Sequence, residues 1–130
     1  MARPQVASLF AARCLPLACL DRTGMEDWLQ SWRGASGRRY ICSVYAIGEP
    51  PAFDCDRAIV AAVRKGAEGA SIVFVFQPGP EAESDGLREW TEKARQYGAD
   101  EWHVHLLAGT REERDFALRD LEPRALRLAA

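Results

Sequence analysis

Arg57-Ala58-Ile59-Val60-Ala61-Ala62-Val63-Arg64 is the stretch on which the fold turns, because it satisfies two periodicities at once. At the helical repeat of about 100° per residue, Cys55, Ile59, Ala62 and Val63 gather on one face, opposite Arg57, Arg64 and Lys65. So read, residues 54–66 form an alanine-rich helix and the chain is a βαβαβα unit. Extended, the same run is a strand over 57–64. Lys65-Gly66-Ala67-Glu68-Gly69 then turns it back on the next apolar run as a hairpin.

That next run is less ambiguous. Ile72, Val73, Phe74, Val75 and Phe76 are all β-branched or aromatic and predict a strand over 71–77, stopped by Pro78-Gly79-Pro80. Upstream, Tyr40, Ile41, Cys42, Val44, Tyr45 and Ile47 predict a strand over 38–47, ended by Gly48-Glu49-Pro50-Pro51. Before it, Met25, Trp28, Leu29 and Trp32 follow Thr23 at helical spacing and predict a helix over 24–34. Downstream, Ser84 or Asp85 caps a helix over 85–97 whose inner stripe is Leu87, Trp90, Ala94 and Tyr97, and Gly98 ends it. A strand over 101–108 follows, with Trp102, Val104 and Leu106 as its core face. Thr110 and Glu113 then form a capping box that opens a helix over 110–121, closed by Pro123.

The strand starts at 38, 71 and 101 are spaced as βαβ units would be. A lone three-stranded sheet is a thin core, however, and the hairpin reading supplies a fourth strand. The expected architecture is therefore α+β: a two-layer αβ sandwich of about four mostly antiparallel strands (38–47, 57–64, 71–77, 101–108). Helices 24–34, 85–97 and 110–121 complete it, the last strand joining through a helical crossover. The alternative is βαβαβα with 54–66 helical.

A chain of 130 residues, 48% hydrophobic, fits one domain with enough core to dispense with disulfides or structural metal. Net charge −2 speaks against a nucleic-acid surface and against polybasic membrane attachment, and no apolar run approaches the roughly 20 residues of a membrane span. Lys65 and Lys93 are the only lysines, which reads as the bias of a GC-rich genome. Cys14, Cys19, Cys42 and Cys55 have no two-residue spacing and read as small apolar side chains in a reducing cytoplasm. Residues 1–24 lack order in this reading, being a disordered leader, a targeting segment or an over-extended start ahead of Met25. The domain covers 25–122, and 123–130 is a tail.

Chemistry has one place to gather. In a strand alternate side chains share a face, so Glu101, His103 and His105 point together, the imidazoles roughly 6.5–7 Å apart. Such a pair suits a metal ion, but a catalytic site needs a third protein ligand. Glu101 is ~13 Å from His105 along an extended strand, so Asp54, Asp56, Glu81, Glu83 or Asp85 would have to come from a loop. The plainer reading is a pair of histidines on a half-exposed sheet face, bonded to neighbouring side chains or water. No dinucleotide, phosphate-loop, nucleophile-elbow or zinc-protease motif is present, so no cofactor is expected.

His103-Val104-His105-Leu106-Leu107-Ala108-Gly109 resembles, over fewer than ten residues, the active-site strand of the histidine-triad nucleotide hydrolases. The resemblance implies His103 as a phosphate nucleophile and His105 as the third histidine. Glu101 stands where the first histidine would be, and a helix before this strand departs from that family's order of elements, so the reading does not adopt it.

Surface apolarity suggests a different role. If Ile72, Phe74 and Phe76 face the helices, Val73 and Val75 line an opposite face too apolar for water. A second copy of the chain or a protein partner covering it, with Trp28 and Trp32 as further interface residues, makes the chain a small cytoplasmic module without catalytic activity. The alternative is a small-ligand-binding protein or a metal- or histidine-dependent hydrolase using His103 and His105.

Overall fold

The computed structural model describes residues 13–15, 28–49, 53–80 and 87–123. These residues form one antiparallel sheet and two helices, a mixed α+β architecture. In chain order the elements are β1 (Arg13–Leu15), β2 (Leu29–Arg33), β3 (Arg39–Ala46), β4 (Ile59–Gly66), β5 (Gly69–Phe76), α1 (Arg88–Gln96), β6 (Glu101–His105) and α2 (Arg111–Leu121). The strands lie in the order β1-β2-β3-β6-β4-β5. The sheet curls enough to bring its two edge strands, β1 and β5, close together.

The deciding stretch is a strand. Ile59, Val60, Ala61, Ala62 and Val63 are all buried, which a helix showing one face to solvent would not allow. A strand covered on both faces buries every residue of a continuous apolar run. β4 has that cover, since Val60 and Ala62 belong to one core with α1 and Ile59, Ala61 and Val63 to another with α2. The 54–66 helix and the βαβαβα alternative are thereby set aside. The hairpin closes through Ala67 and Glu68 between the paired Gly66 and Gly69, and Gly69 takes φ +116°, open to glycine alone at little cost. Cover on both faces also corrects the two-layer arrangement, because the sheet lies between its helices. The crossover is as expected: β6 skips β4's far neighbour, pairs with β4 on one side and β3 on the other, and runs parallel to β5.

The helix expected over 24–34 is not there where the chain is described; Leu29–Arg33 is β2, paired antiparallel with β3. Residues four apart share a face in a helix and also in a strand, so Trp28 and Trp32 fit either period. The turn decided it. Gly34 N–H donates to Arg38 O at 2.8 Å and Gly37 N–H to Gly34 O at 3.0 Å, which folds Gly34–Arg38 into a hairpin loop. Thr23 and the Ser84 and Asp85 caps lie outside the described residues, as does all of 1–24 except Arg13–Leu15, which pairs with β2 as β1.

A bulge corrects the faces of β5. Val60, Ala61 and Ala62 pair with Phe76, Val75 and Phe74, but Val63 pairs with Ile72, leaving Val73 as the extra residue. Val73 therefore joins Phe74 and Phe76 in the α1 core, while Ile72 and Val75 join the α2 core. Val73 and Val75 do not share an open face.

Helix ends follow their sequence signals. Ala99 N–H donates to Ala94 O at 2.9 Å and Gly98 N–H to Arg95 O at 3.0 Å, the paired bonds of a left-handed glycine cap at φ +77°. Thr110 Oγ1 accepts from Glu113 N–H at 3.1 Å at the start of α2. On α1, Ala94 is buried and Trp90 stacks on Phe76 with ring centroids 4.0 Å apart; of the residues flanking the helix, Leu87 is buried but Tyr97 stays at the rim. Leu106 is likewise exposed, since β6 stops at His105 and its last expected residues are loop.

Gly34 carries a prediction. A Cβ there would fall on the Asp120 carboxylate, which three hydrogen bonds hold in place. The obstacle cannot swing aside as a free side-chain end would, so Gly34→Ala should destabilise by about 1–3 kcal/mol, read from the urea midpoint at unchanged slope.

Candidate functional site

β6 places Glu101, His103 and His105 on the face shared with α2, His103 opposite Ala61 and His105 opposite Ile59 of β4. Both imidazoles are inside the protein rather than on a half-exposed face, His103 being 1% exposed.

The hydrogen bonds fix the protonation of His103. An indole nitrogen can only donate, and Trp32 Nε1–H lies 2.8 Å from His103 Nδ1, so Nδ1 must be the acceptor. The proton of the neutral ring is then on Nε2, which donates to Glu101 Oε1 at 3.0 Å. Glu101 Oε2 meets Lys65 Nζ at 3.2 Å, bringing the chain Trp32–His103–Glu101–Lys65 out to the surface. The indole and the imidazole belong to strands that are not neighbours; the curl lets them meet across β3, with their rings edge to face. The small side chain of Cys42 occupies that face of the intervening strand.

His105 is the other tautomer. A carbonyl can only accept, so the 2.9 Å bond to Ile41 O makes Nδ1 the donor and leaves the lone pair on Nε2. Among the described residues Nε2 has no hydrogen-bond partner, and the Tyr40 ring stands edge-on at 5.1 Å between centroids. Tyr40 in turn donates to Asp120 Oδ2 at 2.8 Å. The same carboxylate accepts from Ser36 N–H and Ser36 Oγ, each at 2.7 Å. Asp120 thus ties α2 to the β2–β3 loop, supported by Ala35 N–H donating to Asp120 O. Burial, reinforced by the Asp120 hydrogen bond and charge, raises the Tyr40 hydroxyl well above its ordinary range.

Burial also lowers both imidazoles from their ordinary 6.5. Against it, His103 is supported as a cation by the Glu101 hydrogen bond and charge and by Asp100, while Lys65 opposes the cation. For His105 the bond to Ile41 O is the counterweight. A folded-state value below the unfolded one means the unfolded chain binds more protons in the interval between them, so stability rises with pH there. The contribution is complete above about pH 6.5 and is lost as pH falls through 6.5 toward the folded values. Urea midpoints between pH 7.5 and about pH 5 should therefore fall for the wild type and fall less for His103→Gln; equal slopes would contradict the assignment.

Both nitrogens of His103 are engaged within the protein, so the ring offers no lone pair to a metal and no open approach to a phosphate. No group of three or more His, Cys, Asp or Glu able to hold a metal occurs among the described residues. Asp54 is turned to its own loop, accepting from Asp56 N–H at 3.0 Å, while Glu81, Glu83 and Asp85 lie outside the described residues. Of the four interface candidates, Trp32 is fully buried, Val73 and Val75 are half-buried in separate cores, and Trp28 is 72% exposed.

Sequence reasoning did not identify Trp32 as the partner of His103, nor Tyr40, Ser36 and Asp120 as a cluster. The buried Asp120 carried a weak signal: an acid one position before the buried Leu121 lies near the inner side of the helix. Trp32 and His103 are 71 positions apart, and nothing local joins them.

Fold and site together define a small α+β protein in which the bonds of His103, Tyr40 and Asp120 tie strands and helix together. No helix among the described residues is long and apolar enough to cross a membrane. Comparison with family models, with curated proteins and with solved structures finds no match.

Proposed function

We propose that the chain is a small non-catalytic module of the cytoplasm that works by associating with another protein, first of all a second copy of itself. The observation that supports this is Trp28. It is 72% exposed at the entry to β2, and Leu107 is 68% exposed in the loop before α2. Tryptophan buries the largest apolar area of any side chain and anchors contact surfaces more often than its abundance predicts. The expected Val73/Val75 face no longer contributes to the proposal, since the bulge divides those residues between two cores. Sedimentation at tens of micromolar should give a concentration-dependent dimer that Trp28→Ala abolishes without changing the melting temperature. A monomer throughout, with no partner recovered on immobilised protein, would contradict it.

A second reading has one observation in its favour, the His105 Nε2 beside Tyr40, which has no hydrogen-bond partner among the described residues. Under it the chain binds a small ligand or a metal ion at His105. Stabilisation by added zinc that His105→Ala removes would support this reading, and a metal-free preparation with no zinc response would end it.

A further inference from the structure

We infer that the Trp32–His103 hydrogen bond is an acid-sensitive latch, which holds β2 onto the curled sheet at neutral pH and releases it when His103 takes up a second proton. Neutral His103 presents its only lone pair, on Nδ1, to Trp32 Nε1–H at 2.8 Å, and its only proton, on Nε2, to Glu101. A second proton can go only to Nδ1. There it would confront the indole N–H, two donors with no acceptor between them, and an indole nitrogen cannot reverse its role. The bond across β3 is lost, and the ring and the indole must separate.

The charges around the ring decide how the cation is received. From β6 and its entry come Glu101 and Asp100, which favour it. From β4 comes Lys65, 3.2 Å from Glu101, which opposes it. β3 contributes Val44 and Cys42, β4 contributes Ala61, and β5 contributes Ile72 and Val75, none of them charged. On the same face α2 supplies Ala117 and Leu121, and its Asp120 charge is engaged by Ser36 and Tyr40. His105 is neutral in the opposite tautomer. Glu101 can hold the imidazolium once it forms, yet no described residue stands ready to replace Trp32 as the lost partner. The indole is what must move, and it is carried on β2, which meets the rest of the sheet through β3 alone among its longer neighbours.

Nitrogen-15 spectra of the full chain would follow the indole N–H signals of Trp28, Trp32, Trp90 and Trp102 from pH 7.5 to about pH 5, with the His103 ring observed in parallel. The expected result is a Trp32 signal that shifts and exchanges with water at least about tenfold faster, in step with the His103 titration, while Trp90 and Trp102 stay fixed. Trp32→Phe both assigns the signal and removes the opposing donor, so the His103 midpoint should rise in that variant. His103→Gln, where it folds, should abolish the Trp32 transition. The latch is overturned by a Trp32 signal that stays fixed as His103 titrates. It is equally overturned by all four indoles moving together in one global unfolding, or by an unchanged His103 midpoint in Trp32→Phe. These results leave the association reading untouched, because that rests on Trp28 at neutral pH.

Discussion

Trp32→Ala should lower the unfolding free energy by about 3–5 kcal/mol, the usual cost of truncating a fully buried tryptophan. Trp32 is 0% exposed and sits in the core formed by Tyr40, Cys42, Ile59, Ala61, Val63, Ala117 and Leu121. Two effects add: a void left in the face covered by α2, and an orphaned His103 Nδ1. A buried acceptor without a donor costs about 1–3 kcal/mol unless water enters. Trp32→Phe separates the two effects, since the ring fills most of the void while the indole donor is gone. Its loss should be about half that of alanine, and urea titrations at neutral pH would show the difference. Equal losses would mean that the hydrogen bond adds nothing to packing.

Asp120→Ala should cost about 2–4 kcal/mol, more than a surface carboxylate ordinarily would. The side chain accepts from Ser36 N–H, Ser36 Oγ and Tyr40 Oη, and it is 8% exposed at the last turn of α2. Removing it strands the buried Tyr40 hydroxyl, while Ser36, in an exposed loop, can turn to water. Tyr40 therefore carries most of the expected loss. Tyr40→Phe alone should cost about 1 kcal/mol, and the Asp120→Ala,Tyr40→Phe pair should be less destabilising than the sum of its parts. Additivity in that cycle would remove the clamp from the account. Hydrogen exchange at Ser36 should rise in Asp120→Ala, since its amide loses the carboxylate acceptor, while Ala35, bonded to the backbone carbonyl of the same residue, keeps its partner.

The sequence carried the strands better than their arrangement. The runs at 38–47, 71–77 and 101–108 contain so many β-branched and aromatic residues that only an extended chain suits them, and the structure has β3, β5 and β6 there. Residues 57–64 were undecidable by period, and what resolves them is burial on both faces, a property of the assembled sheet. The Trp28/Trp32 spacing failed differently: four residues is one helical turn and two strand repeats, so the pair has no power to choose. The bulge at Val73 has no local signature either. One extra residue flips every side chain on one side of it, and so an apolar face drawn from strict alternation mixed two cores.

The candidate site was legible as a face and illegible as chemistry. Alternation put Glu101, His103 and His105 together, and the expectation of imidazoles bonded to neighbouring side chains has its counterpart in the Glu101–His103 bond. The tautomers depend on Trp32 and on the Ile41 carbonyl, supplied by strands far away in sequence. The depth of burial was missed for the same reason, since a curled sheet covered by α2 encloses a face that a flat two-layer sheet would leave open.

That His103 is a structural node, neutral and doubly hydrogen-bonded, is the claim on which the rest depends. Nitrogen-15 spectra of the two imidazoles at neutral pH test it most directly, because protonated and unprotonated ring nitrogens resonate far apart. The account predicts a bare Nδ1 and protonated Nε2 at His103, the reverse at His105, and no change at His103 on adding zinc. A protonated Nδ1 at His103, or a His103 signal that moves with zinc, would contradict it.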